Sequence, residues 1–355
     1  MKRRYLVLSS GEAFEGFAFG ADASAIGELV FTTNMVGYLE TLTDPSYCGQ
    51  IILQTFPMIG NYGVIPDDFE GRCLARGYVV REWCELPSNF RSEGTVDAFL
   101  RERGVPGIYG VDTREITRLL REKGVANAML CDEIPGNLAE IAAWRIDNAV
   151  AAASGGGRRA FPAEDERFRV ALIDYGAKRG ILRALNRRGC TVNLFPNDTP
   201  AEEILAGGFD GLMLGNGPGD PLDNPFEIEQ VRKLMGKLPV FGICLGHQLM
   251  ALSQGGRTKK LKYGHRGGNQ PVRDVGGART YITSQNHGYA VEVDSVPGVL
   301  RYVNANDGTC EGIDYPSLDA FSVQFHPEAC SGPEDTAFLF DRFVAMMGGK
   351  PHADA

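Results

Sequence analysis

The stretch Gly242-Ile243-Cys244-Leu245-Gly246-His247-Gln248 (GICLGHQ) follows the short apolar run 240–243 and leads into residues 245–253, which have helical spacing. The run before the cysteine predicts a buried strand. A G-x-C-x-G pattern between strand and helix is typical of a nucleophile elbow, where small neighbours allow a tight turn. Helix N-termini also stabilise thiolates. Cys244 is therefore a candidate nucleophile, and the alternative is a small buried apolar residue.

Apolar runs alternate with helical segments throughout the second half of the chain. Runs 168–174, 191–195 and 212–214 precede the elbow strand, and helical spacing is found in 179–188, 201–205 and 225–235. This alternation predicts an α/β fold with an open, mostly parallel sheet covered on both faces. Ligands bind beyond the carboxyl ends of the strands in such sheets.

The first half has short β-like segments, separated by glycine- and proline-containing turns, and a plausible capping box at 112–115. It predicts a smaller α+β domain. The small and flexible residues that begin at 151 (AAASGGGRR) are typical of a linker. We therefore expect a domain at 1–150, a linker at 151–167 and a second domain at 168–355.

Composition limits the function classes. The 355 residues carry a formal net charge of -9, which argues against a nucleic-acid binder. No apolar run approaches the roughly 18 residues of a membrane span, and the N-terminus is not a secretory signal. Eight scattered cysteines without a C-x-x-C pair predict no metal site and fit a reducing, cytoplasmic compartment.

A nucleophilic thiol needs a base, and the chain has five histidines, at positions 247, 265, 287, 326 and 352. His326 ends the apolar run 321–325, so it should reach a strand end, and Glu328 follows two residues later. Residues i and i+2 of an extended segment project to the same side, so Glu328 can orient the ring. Cys244, His326 and Glu328 thus form a candidate triad. His247 and His265 are expected to be structural.

Taken together, the motifs resemble a known family. GICLGHQ, NGPGDP (216–221), QNHG (285–288) and QFHPE (324–328) resemble the class I glutamine amidotransferase domain. FTTNMVGY (31–38), LTDPSY (42–47), GNYG (60–63), GVDTR (110–114) and KYGHRGGNQPV (262–272) resemble the small, glutamine-hydrolysing subunit of carbamoyl-phosphate synthase.

The resemblance implies specific roles. Cys244 would attack the glutamine amide, His326 would act as base and acid, and Glu328 would orient His326. Backbone N–H groups of Gly217 and Leu245 would stabilise the oxyanion. The implied glutamine contacts are Ser46, Gly217, Gly219, Leu245, Gln248, Asn286, Gly288 and Tyr289. Tyr289 stands where the family commonly has Phe.

It also implies a partner. Ammonia would pass to a large subunit that makes carbamoyl phosphate from bicarbonate, with ATP and Mg bound there and no cofactor in this chain. The product would serve arginine synthesis, pyrimidine synthesis or both. Two alternatives remain: the glutaminase of an anthranilate or guanylate synthase, and a non-catalytic amidotransferase-like partner subunit.

Overall fold

The computed structural model describes residues 1–329 and 332–348. The chain divides into two compact units, Met1–Ala149 and Val150–Ala355. Residues 330, 331 and 349–355, which the predicted second domain includes, lie outside the described residues.

The first unit is built on a closed barrel of seven strands in the order β1-β2-β8-β6-β4-β3-β9, and β5 and β7 form a separate pair. The strands are β1 (Arg3–Leu8), β2 (Ala13–Gly20), β3 (Ala25–Thr32), β4 (Gln50–Gln54), β5 (Met58–Ile59), β6 (Gly77–Val79), β7 (Glu82–Trp83), β8 (Pro106–Tyr109) and β9 (Ala126–Cys131). Fully buried apolar side chains such as Leu6, Val30 and Ile52 fill the core of this unit.

Short helices accompany the barrel, and the predicted α+β class of this unit is confirmed. They are α1 (Tyr38–Thr43), α2 (Val96–Glu102), α3 (Thr113–Lys123), α4 (Ala139–Ala143) and, across the unit boundary, α5 (Ala149–Ala153). Asp112 caps α3, because its Oδ1 accepts from the amides of Arg114 and Glu115 at 3.1 and 2.9 Å.

The second unit contains a ten-stranded open sheet in the order β10-β12-β11-β13-β14-β19-β18-β17-β15-β16. The strands are β10 (Arg159–Phe161), β11 (Phe168–Asp174), β12 (Cys190–Pro196), β13 (Gly211–Leu214), β14 (Val240–Ile243), β15 (Thr258–Asp274), β16 (Thr280–Val291), β17 (Val299–Asn304), β18 (Cys310–Tyr315) and β19 (Ala320–Val323). The predicted open α/β sheet is confirmed, but it is mixed rather than mostly parallel, with four parallel and five antiparallel strand pairs among the described residues. Its parallel part is the run β12-β11-β13-β14-β19, and β18 to β16 continue it as an antiparallel extension.

Helices cover both faces of this sheet. They are α6 (Arg179–Asn186), α7 (Ala201–Ala206), α8 (Pro225–Leu234), α9 (Leu245–Ser253) and α10 (Phe338–Met346). One apolar core contains buried side chains of α7, α8 and α9, and the other contains those of α6 and α10. None of the helices in the described ranges is long and apolar enough to cross a bilayer.

The segment predicted as a linker contains some regular structure. Part of α5 lies in it, and β10 pairs antiparallel with β12 through Arg159, Ala160 and Phe161. A three-residue edge strand gains its partner from tertiary pairing, so residue composition alone does not indicate it.

Candidate active site

Cys244 occupies the turn between β14 and α9. It is the N-cap of α9, with φ 53° and ψ -103°, so a non-glycine residue has a positive φ at this point. Its amide donates to Val323 O of β19 at 2.9 Å, which ties the turn to the neighbouring parallel strand. The thiol is 2 % exposed, and Sγ lies 3.7 Å from Asn286 O. This is the strained elbow geometry that the sequence pattern predicts.

The two flanking glycines are sterically required. A Cβ on Gly246 would lie 2.3 Å from Leu214 O of β13, and one on Gly242 would lie 2.4 Å from Met250 Sδ of α9. Gly246 also donates its amide to Gly215 O at 3.0 Å. Close approach of α9 to the strand ends therefore depends on glycine at both positions.

His326 and Glu328 follow β19, as the strand-end argument expects. His326 Nδ1 lies 2.7 Å from Glu328 Oε1, and the His326 amide donates to Ser284 O at 2.9 Å. Both side chains are buried. Nε2 of His326 has no hydrogen bond of ordinary geometry to the described residues, but the Cys244 thiol is near enough to raise the pKa of the ring. The ring therefore lies between carboxylate and thiol.

Electrostatics favour a protonated His326 beside an ionised Glu328. Burial and the charge of Lys178 lower the pKa of His326, but the Glu328 carboxylate, the nearby Cys244 thiol and the hydrogen bond with Glu328 outweigh them and raise it to about 9. Burial raises the pKa of Glu328. The charge of His326 and its hydrogen bond lower this pKa by a larger amount, so the pKa of Glu328 is lowered overall. A charge-assisted hydrogen bond in this orientation fixes the ring.

Lys178 is a site residue that the sequence reasoning missed. It precedes α6, just beyond the carboxyl end of β11, and is 8 % exposed. Its Nζ lies 3.4 Å from His326 Nδ1 and 3.8 Å from Glu328 Oε1. The sequence feature that could have identified Lys178 is its position in a loop after a buried parallel strand, because ligands bind at that edge of the sheet.

Gly217 and Leu245, the expected oxyanion donors, lie close together. A Cβ on Gly217 would come within 2.6 Å of Leu245 Cδ2 and 2.5 Å of Tyr175 O. Leu245 is the first residue of α9, so its N–H has no acceptor within the helix. The loop after β13 and the start of α9 thus form one backbone surface next to Cys244.

Gln248, Asn286 and Tyr289 also lie around the elbow. Gln248 Nε2 donates to Tyr289 O at 2.8 Å and to Gln324 Oε1 at 2.9 Å. Asn286 O accepts from Cys244 Sγ, and Gly288 lies between Asn286 and Tyr289 on β16. The structure thus brings these four predicted contacts together with Cys244 in the second unit.

Two predicted contacts have other surroundings. Ser46 belongs to the first unit, in a single 3-10 turn (Pro45–Tyr47), and its amide donates to Asp44 Oδ1 at 2.9 Å. Gly219 is exposed in the loop after β13 and has φ 88°, a conformation that glycine adopts readily.

The other histidines do not join the triad. His247 is fully buried, its Nδ1 is 2.8 Å from Ser322 Oγ, and burial lowers its pKa to about 3. His265, His287 and Glu311 form a second cluster, with potential metal-ligand atoms within 4.8 Å of one another. The sequence reasoning, which looked for closely spaced ligands, predicted no metal site there. His352 lies outside the described residues.

Two family models match the chain. One, described as "Glutamine amidotransferase class-I", covers residues 171–346, and the other, "Carbamoyl-phosphate synthase small chain, CPSase domain", covers residues 6–130. By the first match, the second unit is a class-I glutamine amidotransferase domain.

Curated relatives match over the full length. "Carbamoyl phosphate synthase small chain" of Listeria monocytogenes serotype 4b is 48% identical over 363 residues, covering 100% of this chain and 99% of the relative. The protein of the same name from Oceanobacillus iheyensis is 48% identical over 359 residues, covering 98% and 96%. The chain belongs to the carbamoyl phosphate synthase small chain family, which confirms the resemblance in the motifs. A solved structure of a glutamine amidotransferase from Thermotoga maritima is 18% identical, with TM-score 0.38, covering 50% of this chain and 80% of that one.

Proposed function

We propose that this chain hydrolyses L-glutamine with Cys244, His326 and Glu328 and supplies the ammonia to a carbamoyl-phosphate synthase large subunit. The observation that carries the proposal is the 2.7 Å contact between His326 Nδ1 and Glu328 Oε1, together with an Nε2 left to the Cys244 thiol. Family membership supports the reaction class, and these contacts support the choice of residues.

The first half-reaction forms a thioester. The Cys244 thiolate attacks the side-chain amide carbon of glutamine, and the carbonyl π electrons move to oxygen. His326 gives its Nε2 proton to the departing nitrogen, and the C–N bond breaks. Ammonia departs, and a γ-glutamyl thioester on Cys244 remains. Glu328 holds Nδ1–H, so the proton that is transferred is the one that faces sulfur.

The second half-reaction releases glutamate. Neutral His326 takes a proton from water, the hydroxide oxygen adds to the thioester carbon, and the C–S bond breaks to regenerate the Cys244 thiolate and the imidazolium. Both tetrahedral intermediates carry an oxyanion. The N–H groups of Gly217 and Leu245 are the proposed donors to it, because a helix N-terminus stabilises negative charge.

The proposed glutamine contacts are Ser46, Gly217, Gly219, Leu245, Gln248, Asn286, Gly288 and Tyr289. Tyr289 and Gln248 are supported by their mutual hydrogen bond beside the elbow.

The large subunit is the proposed partner in a heterodimer, and it would bind ATP and Mg. No cofactor is assigned to this chain for glutamine hydrolysis, since His326 makes the proton transfers and the oxyanion donors stabilise the negative charge by hydrogen bonding. The scattered cysteines favour a reducing cytoplasm as the site of reaction.

The test compares wild type with Cys244→Ser and with the matched control Cys190→Ala. Cys190 is buried in the same apolar cluster as Cys244, but it lies on β12 and not at the elbow. We expect glutamine hydrolysis, with and without the co-purified large subunit, to disappear in Cys244→Ser and to survive in Cys190→Ala. A thiol-reactive glutamine analogue should label wild type and the control but not Cys244→Ser. Undiminished hydrolysis in Cys244→Ser would refute the assignment.

A further inference from the structure

A second polar cluster is buried in the antiparallel extension of the sheet. His265 on β15 and His287 on β16 are direct cross-strand partners, and Glu311 projects from β18. The side chains of His287 and Glu311 are 1 % and 0 % exposed, and that of His265 is 11 % exposed. Three ligand-type side chains from three strands therefore meet away from bulk water.

The spacing suits a small cation. Glu311 Oε1 lies 3.4 Å from His265 Nδ1 and 4.0 Å from His287 Nε2, and the three ligand atoms lie within 4.8 Å of one another. Zinc ligands at about 2.0–2.2 Å in tetrahedral geometry stand about 3.4 Å apart. Modest side-chain movement converts the observed spacing into that of a bound ion.

Outer partners aim both rings at the centre of the cluster. His265 Nε2 lies 3.0 Å from Asp307 Oδ2, and His287 Nδ1 lies 2.8 Å from Tyr289 O. A carboxylate and a carbonyl accept hydrogen bonds, so the outer nitrogen of each ring carries a proton, and the inner nitrogen of a neutral ring faces the cluster. Burial lowers the pKa of His265, but Asp307 and Glu311 raise it to about 9, so a metal ion would displace the inner proton of that ring. Carboxylate–histidine and carbonyl–histidine pairs of this kind are the usual outer support of metal-bound imidazoles.

The interior of the cluster is rich in acceptors, and the donors that reach Glu311 Oε1 and His265 Nδ1 do so at long range. Asn304 Nδ2 and Thr309 Oγ1 each lie 3.4 Å from Glu311 Oε1, and Asn304 Nδ2 lies 3.4 Å from His265 Nδ1. Gln285 Nε2 donates to Glu311 Oε2 at 3.0 Å and to Thr283 Oγ1 at 3.1 Å, which fixes the orientation of the amide. Its Oε1 then faces His287 Nε2 at 3.1 Å. In the His287 tautomer that donates Nδ1–H to Tyr289 O, both of these atoms are acceptors, and a cation between them removes the conflict.

Asp307 and Glu311 outweigh burial and raise the pKa of His265 alone to about 9, but protonating His287 as well would carry a high electrostatic cost. Protonating both rings would place two imidazolium ions in one buried cluster, close to Arg266, which is itself 5 % exposed and acts on His287 electrostatically. One carboxylate, Glu311, would face them from inside. Burying like charges without matched partners is strongly unfavourable.

We propose that His265, His287 and Glu311 bind one divalent transition-metal ion, with Zn²⁺ the best fit to two imidazoles and a carboxylate, and with Gln285 Oε1 available as an oxygen ligand. The ion would link β15, β16 and β18. Its role would be structural, because it would fix the β16 segment that carries Asn286 and Tyr289. The site does not depend on the proposed triad.

The experiment measures metal content of the full-length chain. After metal removal, one equivalent of ZnCl₂ is added, the protein is desalted, and zinc is determined by elemental mass spectrometry. We expect about one zinc per wild-type chain and at least a tenfold loss in His287→Asn and Glu311→Gln. Cys244→Ser should keep its zinc, because the reactive thiol is not a ligand of this site. Zinc lost in Cys244→Ser but kept in His287→Asn, or wild type without zinc, would overturn the proposal.

A second measurement uses the wild-type protein, so it does not depend on whether the variants fold. Co²⁺ added to wild-type protein should give the visible absorption of a site with nitrogen and oxygen ligands and no thiolate charge-transfer band. Absence of any cobalt band, or a thiolate band, contradicts the assignment. Neither experiment measures glutamine hydrolysis. Both therefore test the metal site even if the proposed function is wrong.

Discussion

Removing the charge of Glu328 is the most informative perturbation of the triad. Glu328→Gln keeps the shape of the side chain and one oxygen, but it replaces the carboxylate that lies 2.7 Å from His326 Nδ1. Without that charge, burial and Lys178, which both lower the pKa of His326, are no longer outweighed. The variant ring should therefore be neutral over a pH range in which the wild-type ring is protonated.

The size of the effect follows from the contact. A hydrogen bond to a charged group contributes about 1.5–3 kcal/mol net. If this contribution is lost where His326 must carry a proton, the rate of thioester formation falls roughly 10-fold to 150-fold. We expect the loss in kcat/KM for glutamine, because the interaction holds the reacting group rather than the substrate.

The pH dependence of glutamine hydrolysis tests the direction of the change in the His326 pKa, whatever the size of the loss in rate. The pKa of wild-type His326 is raised from 6.5 to about 9, so its imidazolium persists until pH rises through about 9. Activity that needs the imidazolium should fall above that pH in wild type and at lower pH in Glu328→Gln. By the same linkage, the stability that this group contributes is full below its unfolded pKa of 6.5 and is lost as pH rises towards 9.

The assay is steady-state glutamine hydrolysis across this pH range, with Asp341→Asn as the matched control. Asp341 is a largely buried carboxylate that binds Arg188 through both oxygens at 2.8 Å, in α10 rather than at the triad. The control should lose thermal stability but keep the wild-type pH profile. Equal kcat/KM and an unmoved alkaline limb in Glu328→Gln would refute the role given to Glu328.

Two further predictions concern neighbours of the triad. Gly246→Ala places a Cβ 2.3 Å from Leu214 O, so α9 must shift. We expect a lower melting temperature and at least tenfold less glutamine hydrolysis. The control Gly136→Ala, whose Cβ meets nothing within 4 Å, should change neither quantity. Wild-type hydrolysis in Gly246→Ala would contradict the close-packing argument. Lys178→Met removes a charge that lowers the pKa of His326, so the alkaline limb of the pH profile should move to higher pH. A limb that stays in place or moves down would show that Lys178 does not act on this ring.

The sequence predicts the catalytic half well because its signals are local. The apolar runs at 168–174 and 240–243 correspond to β11 and β14, and the elbow helix at 245–253 corresponds to α9. Strand ends of a parallel sheet lie at one edge, so the positions of Cys244 and His326 along the chain already place them near each other.

Features that depend on the pairing register of distant strands could not be predicted from local sequence patterns. The seven-stranded barrel and the antiparallel extension come from pairing between distant segments, and β15 and β16 contain register shifts between Lys260 and His265 and between Gly267 and Gln270. These shifts set which side chains face His265. Spacing rules look for ligands close in sequence, so the His265, His287 and Glu311 cluster carries no local signal.

The backbone of Cys244 has a consequence for selection on this protein. A non-glycine residue with φ 53° costs on the order of 1–3 kcal/mol, and glycine would adopt the same turn without that cost. Conformational preference and chemistry therefore favour different residues at one position. With the proposed role of Cys244, the protein has lower stability at this position in exchange for reactivity.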